Sequence, residues 1–405
     1  MPVSKANIYD VIIAGSGPAG ASAAFVLAKA GKKVLVLEKE TLPRYKTCGG
    51  GLTFKGMELI PFDLSKIIER EFDSISINDF EADVSLLTKR DKPVVSMTMR
   101  SDLDYHLMKE AEKEGAELRD NYEIKIINYS GDRIEVFNKK EDKYSSKFFI
   151  AADGVLSLAA KKYFGEYYGK RIPALEYEIY LDDDILSQFT KIPRFDFGIV
   201  PYGYGWVFPK KDHLSIGVLS MKLKNGNLNK YFSKYLGALG INKVNRAERH
   251  GFVIPINHRN KFSENRILLA GDAAGFIDPI TAEGISFAVL SGRLAAESII
   301  KGNMDPEIIS REYNNQVSKK ILPEIKAGKF LSKFIYGYRG LRIWIVKLYG
   351  KKLSELMTDV VMGNKKYSEL LKDPLNYFKL LFKWSLKNKQ VQKFSGKVNT
   401  FQTSI

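Results

Sequence analysis

The chain has 405 residues, 45% of them hydrophobic and 27% charged; this is the balance of a folded globular protein, too long for one typical core. Its single cysteine, Cys48, excludes an intrachain disulfide and points to a reducing, cytoplasmic setting; the first apolar run reads as a strand rather than a secretory leader, and no apolar run has the length of a membrane span. The net charge of +16 is uneven, because residues 319–405 hold 19 Lys/Arg against 5 Asp/Glu whereas the first 318 are close to balanced, so an anionic surface is expected as partner of the C-terminal part.

In chain order, Val11-Ile-Ile-Ala-Gly15-Ser-Gly17-Pro-Ala-Gly20 reads as a strand, a glycine turn and the start of a helix. A second strand, Val34–Leu37, ends at Glu38. This is a dinucleotide-binding fingerprint. Gly15 allows the tight turn, Gly17 lets backbone approach a pyrophosphate, and Gly20 lets the helix pack close. The helix N-terminus faces phosphate, and Glu38 can accept from ribose hydroxyls. At this point FAD and NAD fit equally well. A glycine-rich loop from Arg44 to Gly51 follows, then an alternating strand region over 75–99. A helix is expected from Arg100 to Gly115, capped by Ser101 or Asp102. Strands are expected over 123–129 and 133–138, and a buried strand ends at Asp153-Gly154. Residues 172–255 are β-rich and aromatic, and read as an antiparallel sheet inserted between two parts of the nucleotide domain, 1–171 and 256–305. Within that second part, Gly271-Asp272-Ala-Ala-Gly275 begins a strand–turn–helix pattern, with a helix from about Ser286 to Lys301. The region 306–405 reads as helical and basic. The overall expectation is an α/β composite: a Rossmann-like nucleotide domain, an antiparallel insert and a helical C-terminal region.

Together, the first glycine motif with Glu38, the Asp153-Gly154 strand end, and Gly271-Asp272…Pro279…Glu283-Gly284-Ile285 resemble FAD-dependent oxidoreductases built like para-hydroxybenzoate hydroxylase. Two further motifs resemble the geranylgeranyl reductase family in particular. They are Arg44-x-Lys46-x-Cys48-Gly-Gly-Gly51-Leu and Tyr204-Gly-Trp206-Val-Phe208-Pro209-Lys210 followed by Gly217. The resemblance implies resident FAD and hydrogenation of prenyl chains, in the archaeal branch those of ether phospholipids. It also implies FAD contacts at Ala19, Glu38, Cys48, Gly49, Gly51, Arg100, Ile124, Asp272, Gly284 and Ile285. Arg44 joins this set as a phosphate-binding candidate. The chain departs from the family pattern at Ala282, Leu219 and Leu156. Leu156 stands where an Arg often follows Asp-Gly, which weakens that strand end as an NADPH site. NAD(P)H, ferredoxin and reduced flavin all stay open as electron donors.

An isolated alkene accepts hydride only if a proton reaches its other carbon almost together with it, so the site must be dry, long and apolar. Cys48 is the first candidate proton donor or alkene-positioning group, since a thiol in apolar surroundings stays protonated; a small residue needed for packing is the plainer reading. Tyr204, Trp206 and Phe208 share one strand face and are candidates for lining the prenyl tunnel, with Tyr204 and Trp206 also stabilising cationic character; core packing is their plainer reading. No metal is expected, because the four His and one Cys form no ligand spacing. The basic segments 329–349 and 375–387 mix large apolar residues with Lys/Arg, as helices lying on an anionic membrane do. No nucleic-acid motif accompanies the charge, so nucleic acid is not an expected partner. The alternatives are a flavin monooxygenase or halogenase on the same frame, and a reductase of a prenylated quinone side chain. Halogenases have a second Trp where Tyr204 stands and an Ile where Phe208 stands.

Overall fold

A computed structural model describes residues 8–166, 169, 171–222 and 227–372. The basic segment 375–387 lies outside the described residues. Ile8–Ala14 is buried along nearly all its length, as a strand covered on both faces must be. It pairs in parallel with Lys143–Ala151 on one side and Val34–Leu37 on the other. Ile267–Leu269 extends the sheet beyond Lys143–Ala151, and Glu117–Arg119 extends it beyond Val34–Leu37. The expected strands over 123–129 and 133–138 form as Ile126–Tyr129 and Ile134–Phe137 and hang antiparallel from this sheet.

Helices Pro18–Lys29 and Ile285–Lys301 touch backbone to backbone, because a β-carbon on Gly292 would lie 2.0 Å from the Ala19 carbonyl oxygen. The helix Arg100–Lys113 packs beside the first of them. Its N-cap is Met99, without a side-chain cap, which corrects the expected Ser101 or Asp102. The helix starts early enough to put both residues in its first turn, where Asp102 faces the positive dipole end.

The second sheet has seven strands in the order Arg246–Pro255, Arg171–Tyr180, Leu214–Ser220, Gly203–Pro209, Arg194–Phe197, Ser74–Asp79, Val84–Lys89. Its last two strands come from upstream of the β-rich stretch, and Ser74–Asp79 joins by a parallel pairing with Arg194–Phe197. Val95–Met97 instead enters a small sheet with Gly51–Thr53 and Arg70–Phe72. The alternating region 75–99 is therefore divided between two sheets. The strand Gly203–Pro209 is buried on both faces. Its aromatic face joins a cluster with Phe72, Met97, Tyr336 and Met362, and Val207 joins an aliphatic cluster with Phe232 and Tyr235 of the helix Leu228–Ala238.

Helices Pro306–Lys320, Leu322–Gly337, Arg339–Met362 and Tyr367–Lys372 follow. Arg342 pins the third of these to the second sheet: its Nε lies 2.9 Å from Asp79 Oδ2, and its other nitrogen pairs with Glu81. Tyr336 donates to the Ile280 carbonyl, so the helical region also closes over the loop before Gly284. No described helix is long and apolar enough to cross a membrane.

Candidate active site

The turn after Ile8–Ala14 leaves little freedom at two of its glycines. Gly15 has φ +92°, and a β-carbon there would lie 2.6 Å from the Ala152 carbonyl oxygen; one on Gly20 would lie 1.9 Å from the Gly15 carbonyl oxygen. Gly17 differs. The nearest atoms to its β-carbon position are Arg44 Nη2, Arg100 Nη2 and Asp104 Oδ2, all at 3.8–3.9 Å. The helix Pro18–Lys29 starts there with no side-chain cap, so free backbone N–H groups and two guanidinium groups face the same space. That combination suits a phosphate-bearing anion.

Glu38 is held beside this turn. Ser16 donates to its Oε2 through its backbone N at 2.9 Å and its hydroxyl at 2.7 Å. Burial pushes the Glu38 carboxyl up, but Arg44 and the Ser16 bonds outweigh it and hold the group below the usual carboxylate range. Arg44 and Arg100 both also pair with Asp104, at 3.1 and 2.8 Å. Asp104 went unnoticed in the sequence, although its place one turn after Arg100 was a usable signal.

Lys46 and Asp272 join Arg100 in a second charged group. Burial, with Arg100 adding to it, pulls the Lys46 ammonium down to about 8. Burial raises the Asp272 carboxyl, against the pull of Lys46 and Arg100. A β-carbon on Gly284 would lie 3.5 Å from Asp272 Oδ1, so the helix start at Ile285 stands beside this acid. Ala19 meets the same strand–turn: its Cβ is 3.1 Å from the β-carbon position of Gly271. Ile285 packs with Leu52, Leu103 and Val289 in a cluster that Cys48 flanks. Ile124 is half-buried on the main core, two residues beyond Tyr122, whose N–H donates to the Glu38 carbonyl; no described bond joins it to the rest of the group.

The turn Cys48–Gly51 packs directly on the aromatic strand. The β-carbon position of Gly49 is 2.9 Å from Trp206 Nε1 and 2.8 Å from Phe208, and that of Gly51 is 3.1 Å from Phe208. A side chain on either glycine collides with the wall. Gly217, opposite Trp206, makes room for the indole, since a β-carbon there would lie 2.0 Å from the ring. Tyr204 donates to the Thr281 carbonyl. The indole N–H of Trp206 is buried with no partner among the described residues, an orphan donor beside the glycine turn. Gly15, Gly17, Arg44, Lys46, Cys48, Gly49, Arg100, Asp272 and Gly284 are all half-exposed amid buried neighbours. Groups suited to an anionic ligand meet at the glycine turn and an aromatic wall meets Gly49 and Gly51, and this combination fits a flavin dinucleotide. Ala282 has φ +56°, the left-handed region in which glycine is at ease, which accounts for glycine being the usual family residue there. Leu156 is 66% exposed.

Residues 8–197 match the FAD binding domain family. A geranylgeranyl diphosphate reductase of Synechocystis is 30% identical over 72% of this chain and 75% of its own length. The chain belongs to the geranylgeranyl reductase family. The chloroplastic geranylgeranyl diphosphate reductase of Arabidopsis thaliana is 29% identical, with 86% of this chain and 79% of that protein covered. A solved geranylgeranyl bacteriochlorophyll reductase-like structure from Thermoplasma acidophilum superimposes with a TM-score of 0.72 at 23% identity, covering 90% of this chain and 98% of that one, and shows the shared fold. This geranylgeranyl reductase family member is an FAD-dependent oxidoreductase, with FAD as its cofactor. A large part of the expected cofactor set is drawn together around the glycine turn and the Cys48 loop, with Ile124 at its margin; the residues missed in the sequence are those that hold the set in place, Ser16 and Asp104 at the turn and Glu176, whose carboxylate accepts the Cys48 backbone N–H.

Proposed function

We propose that this protein reduces carbon–carbon double bonds of geranylgeranyl chains, and that its substrates are archaeal ether phospholipids. The observation that carries the reading is the packing of the Cys48–Gly51 turn against the Tyr204–Trp206–Phe208 face. That contact puts a thiol, an aromatic wall and the dinucleotide-binding residues within one neighbourhood. Gly15, Gly17, Gly20, Arg44 and Arg100 would hold the pyrophosphate, Glu38 a ribose, and Asp272 with Gly284 and Ile285 the ribityl chain and ring edge. Ala19 and Ile124 would add backbone and apolar contacts, and Gly49 and Gly51 would face the ring. FAD, when bound and reduced, would supply hydride. The protein's own groups exclude water, hold the chain on the aromatic face, and give a proton from Cys48 to the alkene carbon that does not receive hydride. Any cationic character on the more substituted carbon is favoured by the π faces of Tyr204 and Trp206. Relatives bearing the name geranylgeranyl diphosphate reductase support this substrate class.

The test is anaerobic mixing of the reduced holoenzyme with a digeranylgeranyl phospholipid. Flavin oxidation with a product gaining two hydrogens per double bond supports the reading. A product formed only with oxygen supports monooxygenase or halogenase chemistry, and binding without redox turnover leaves a lipid carrier. A prenylated quinone reduced in preference to the phospholipid redirects the substrate.

A lipid substrate calls for a lipid-facing surface. Phe330, Phe334, Tyr338, Leu341, Trp344 and Leu348 are each 38–59% exposed on consecutive helices. Residues 325–354 contain eight Lys/Arg and no Asp/Glu. Exposed aromatics interspersed with the lysines of this stretch suit the headgroup layer of an anionic bilayer. Flotation with anionic liposomes checks this: binding should fall with salt, and absence of binding removes the membrane contact.

A further inference from the structure

Behind the Cys48 turn lies a line of ionisable groups that the reduction as described leaves unused. Asp212, with its side chain 70% exposed, has Oδ1 2.7 Å from His213 Nδ1. His213 Nε2 is 3.1 Å from Glu178 Oε2. The Tyr45 hydroxyl donates to Glu178 Oε1 at 3.3 Å and lies 3.5 Å from Glu176 Oε2. The same Glu176 oxygen accepts the Cys48 backbone N–H at 2.9 Å, while Ser215 donates to the other oxygen. Glu176, Glu178 and His213 are all under 5% exposed.

The backbone explains the alignment. Glu176 and Glu178 sit two residues apart on Arg171–Tyr180, so they share a strand face. The neighbouring strand Leu214–Ser220 sets Ser215 opposite Glu178 and starts one residue after His213. Two carboxyl groups this deeply buried are unfavourable as a pair of free anions; protons or donors must accompany them. The surroundings include Lys210, whose Nζ donates to the Thr98 carbonyl and abuts Gly50, and Glu69 beyond it. On the neighbouring strand stand His250, which stacks on Tyr45, and Glu248, which pairs with Arg246. Arg100 and Lys46 also stand near Cys48.

Each double bond reduced consumes one proton inside a site that must stay dry. We propose that Asp212, His213, Glu178, Tyr45 and Glu176 form a proton relay from the surface to Cys48, with Glu176 as the residue that reprotonates the thiol; this rests on the reductase reading above. In each turnover the Cys48 S–H bond breaks as one C–H bond forms, and hydride from reduced FAD forms the other. The thiolate then takes the Glu176 proton, after the carboxyl turns from the Cys48 N–H toward Sγ. Glu176 is refilled through Tyr45 and Glu178 from His213, and His213 from water at Asp212. The electron pair comes from the flavin alone, so the relay moves only protons. Burial, then the charge of Glu178, push Glu176 up to about 7, which leaves it able to carry a proton near neutrality. Burial alone would lower His213, but the bonds to Glu178 and Asp212 outweigh it and raise it above the usual imidazole value.

The relay residues act through Cys48, so their test separates proton delivery from support of the turn. In Glu176→Gln the side chain can still accept the Cys48 N–H but cannot carry a proton. With excess dithionite re-reducing the flavin after each turnover, the holoenzyme of this variant, and of His213→Gln, should reduce the first double bond within about twofold of the wild-type rate; later double bonds should slow about 100-fold, the low end of a proton-transfer contribution. Ser215→Ala, which keeps the line intact, should show no such split. Equal slowing of first and later bonds overturns the relay and leaves Glu176 a support of the turn. A second arm needs no prenyl substrate. Because Cys48 is the only cysteine, iodoacetamide labelling of the flavin-free protein reports on that thiol alone. Its rate against pH should show an inflection near 7 that is absent in Glu176→Gln, and superimposable profiles overturn the coupling. A labelling difference without any prenyl reduction would sink the reductase reading while leaving the coupling between Glu176 and Cys48 standing.

Discussion

The two large sheets of this protein build their halves of the site by different means. In the parallel sheet around Ile8–Ala14 the working parts are backbone: a turn with φ +92° at Gly15, a close helix contact at Gly20, and open N–H groups at Gly17. In the antiparallel sheet they are side chains: Tyr204, Trp206 and Phe208 on one face, and Glu176 and Glu178 on a neighbouring strand. A site made of backbone tolerates almost no added atom. A site made of side-chain volume tolerates replacement in proportion to the volume and hydrogen bonds changed.

That contrast can be broken at four places, in descending order of effect. Gly20→Ala puts a β-carbon 1.9 Å from the Gly15 carbonyl oxygen, a backbone atom that cannot move aside; the purified variant should lose its flavin, with the ratio of 450 nm to 280 nm absorbance near zero. Cys48→Ala sits where the two halves meet. It should keep the flavin spectrum yet reduce prenyl chains about 100-fold more slowly, the scale of a lost proton donor; full turnover by a flavin-replete variant would remove Cys48 from the chemistry. Trp206→Phe trims the wall without emptying it, so kcat/KM should fall about tenfold with flavin content unchanged. If the flavin is lost instead, the wall belongs to the cofactor half. Smallest, Ala282→Gly relieves a positive φ and should stabilise the fold by about 1 kcal/mol, seen as a higher denaturant midpoint; a lower midpoint would show that the alanine packs better than its backbone suggests.

The same contrast governs what the chain discloses before it is folded. Backbone-dictated positions leave local marks, because glycine is the residue that a positive φ or a contact under 3 Å demands, and Gly15, Gly20 and Gly49 are all readable. The Gly284–Ile285 helix start and the strand ending at Glu38 were equally plain. The cap of Arg100–Lys113 was misread because a polar residue in the first turn imitates a cap one position away. The membership of Ser74–Asp79 in the second sheet left no local trace, since strand alternation names a face but not a partner.

By itself, then, the amino-acid order determined the glycine turn, the acid at the end of the second strand, the aromatic alternation and the cationic C-terminal part, all properties of spacing along a chain. Only the folded molecule decided that Asp104 would bind both Arg44 and Arg100, that Gly49 and Gly51 beside Cys48 would lie on Trp206 and Phe208, and that Asp212 would connect through His213 and two glutamates to the back of that turn. The physical reason is distance: spacing governs neighbours within a turn or two, whereas a buried charge finds its partner across 60 or 130 residues, and that meeting is settled by how the two sheets close on one another.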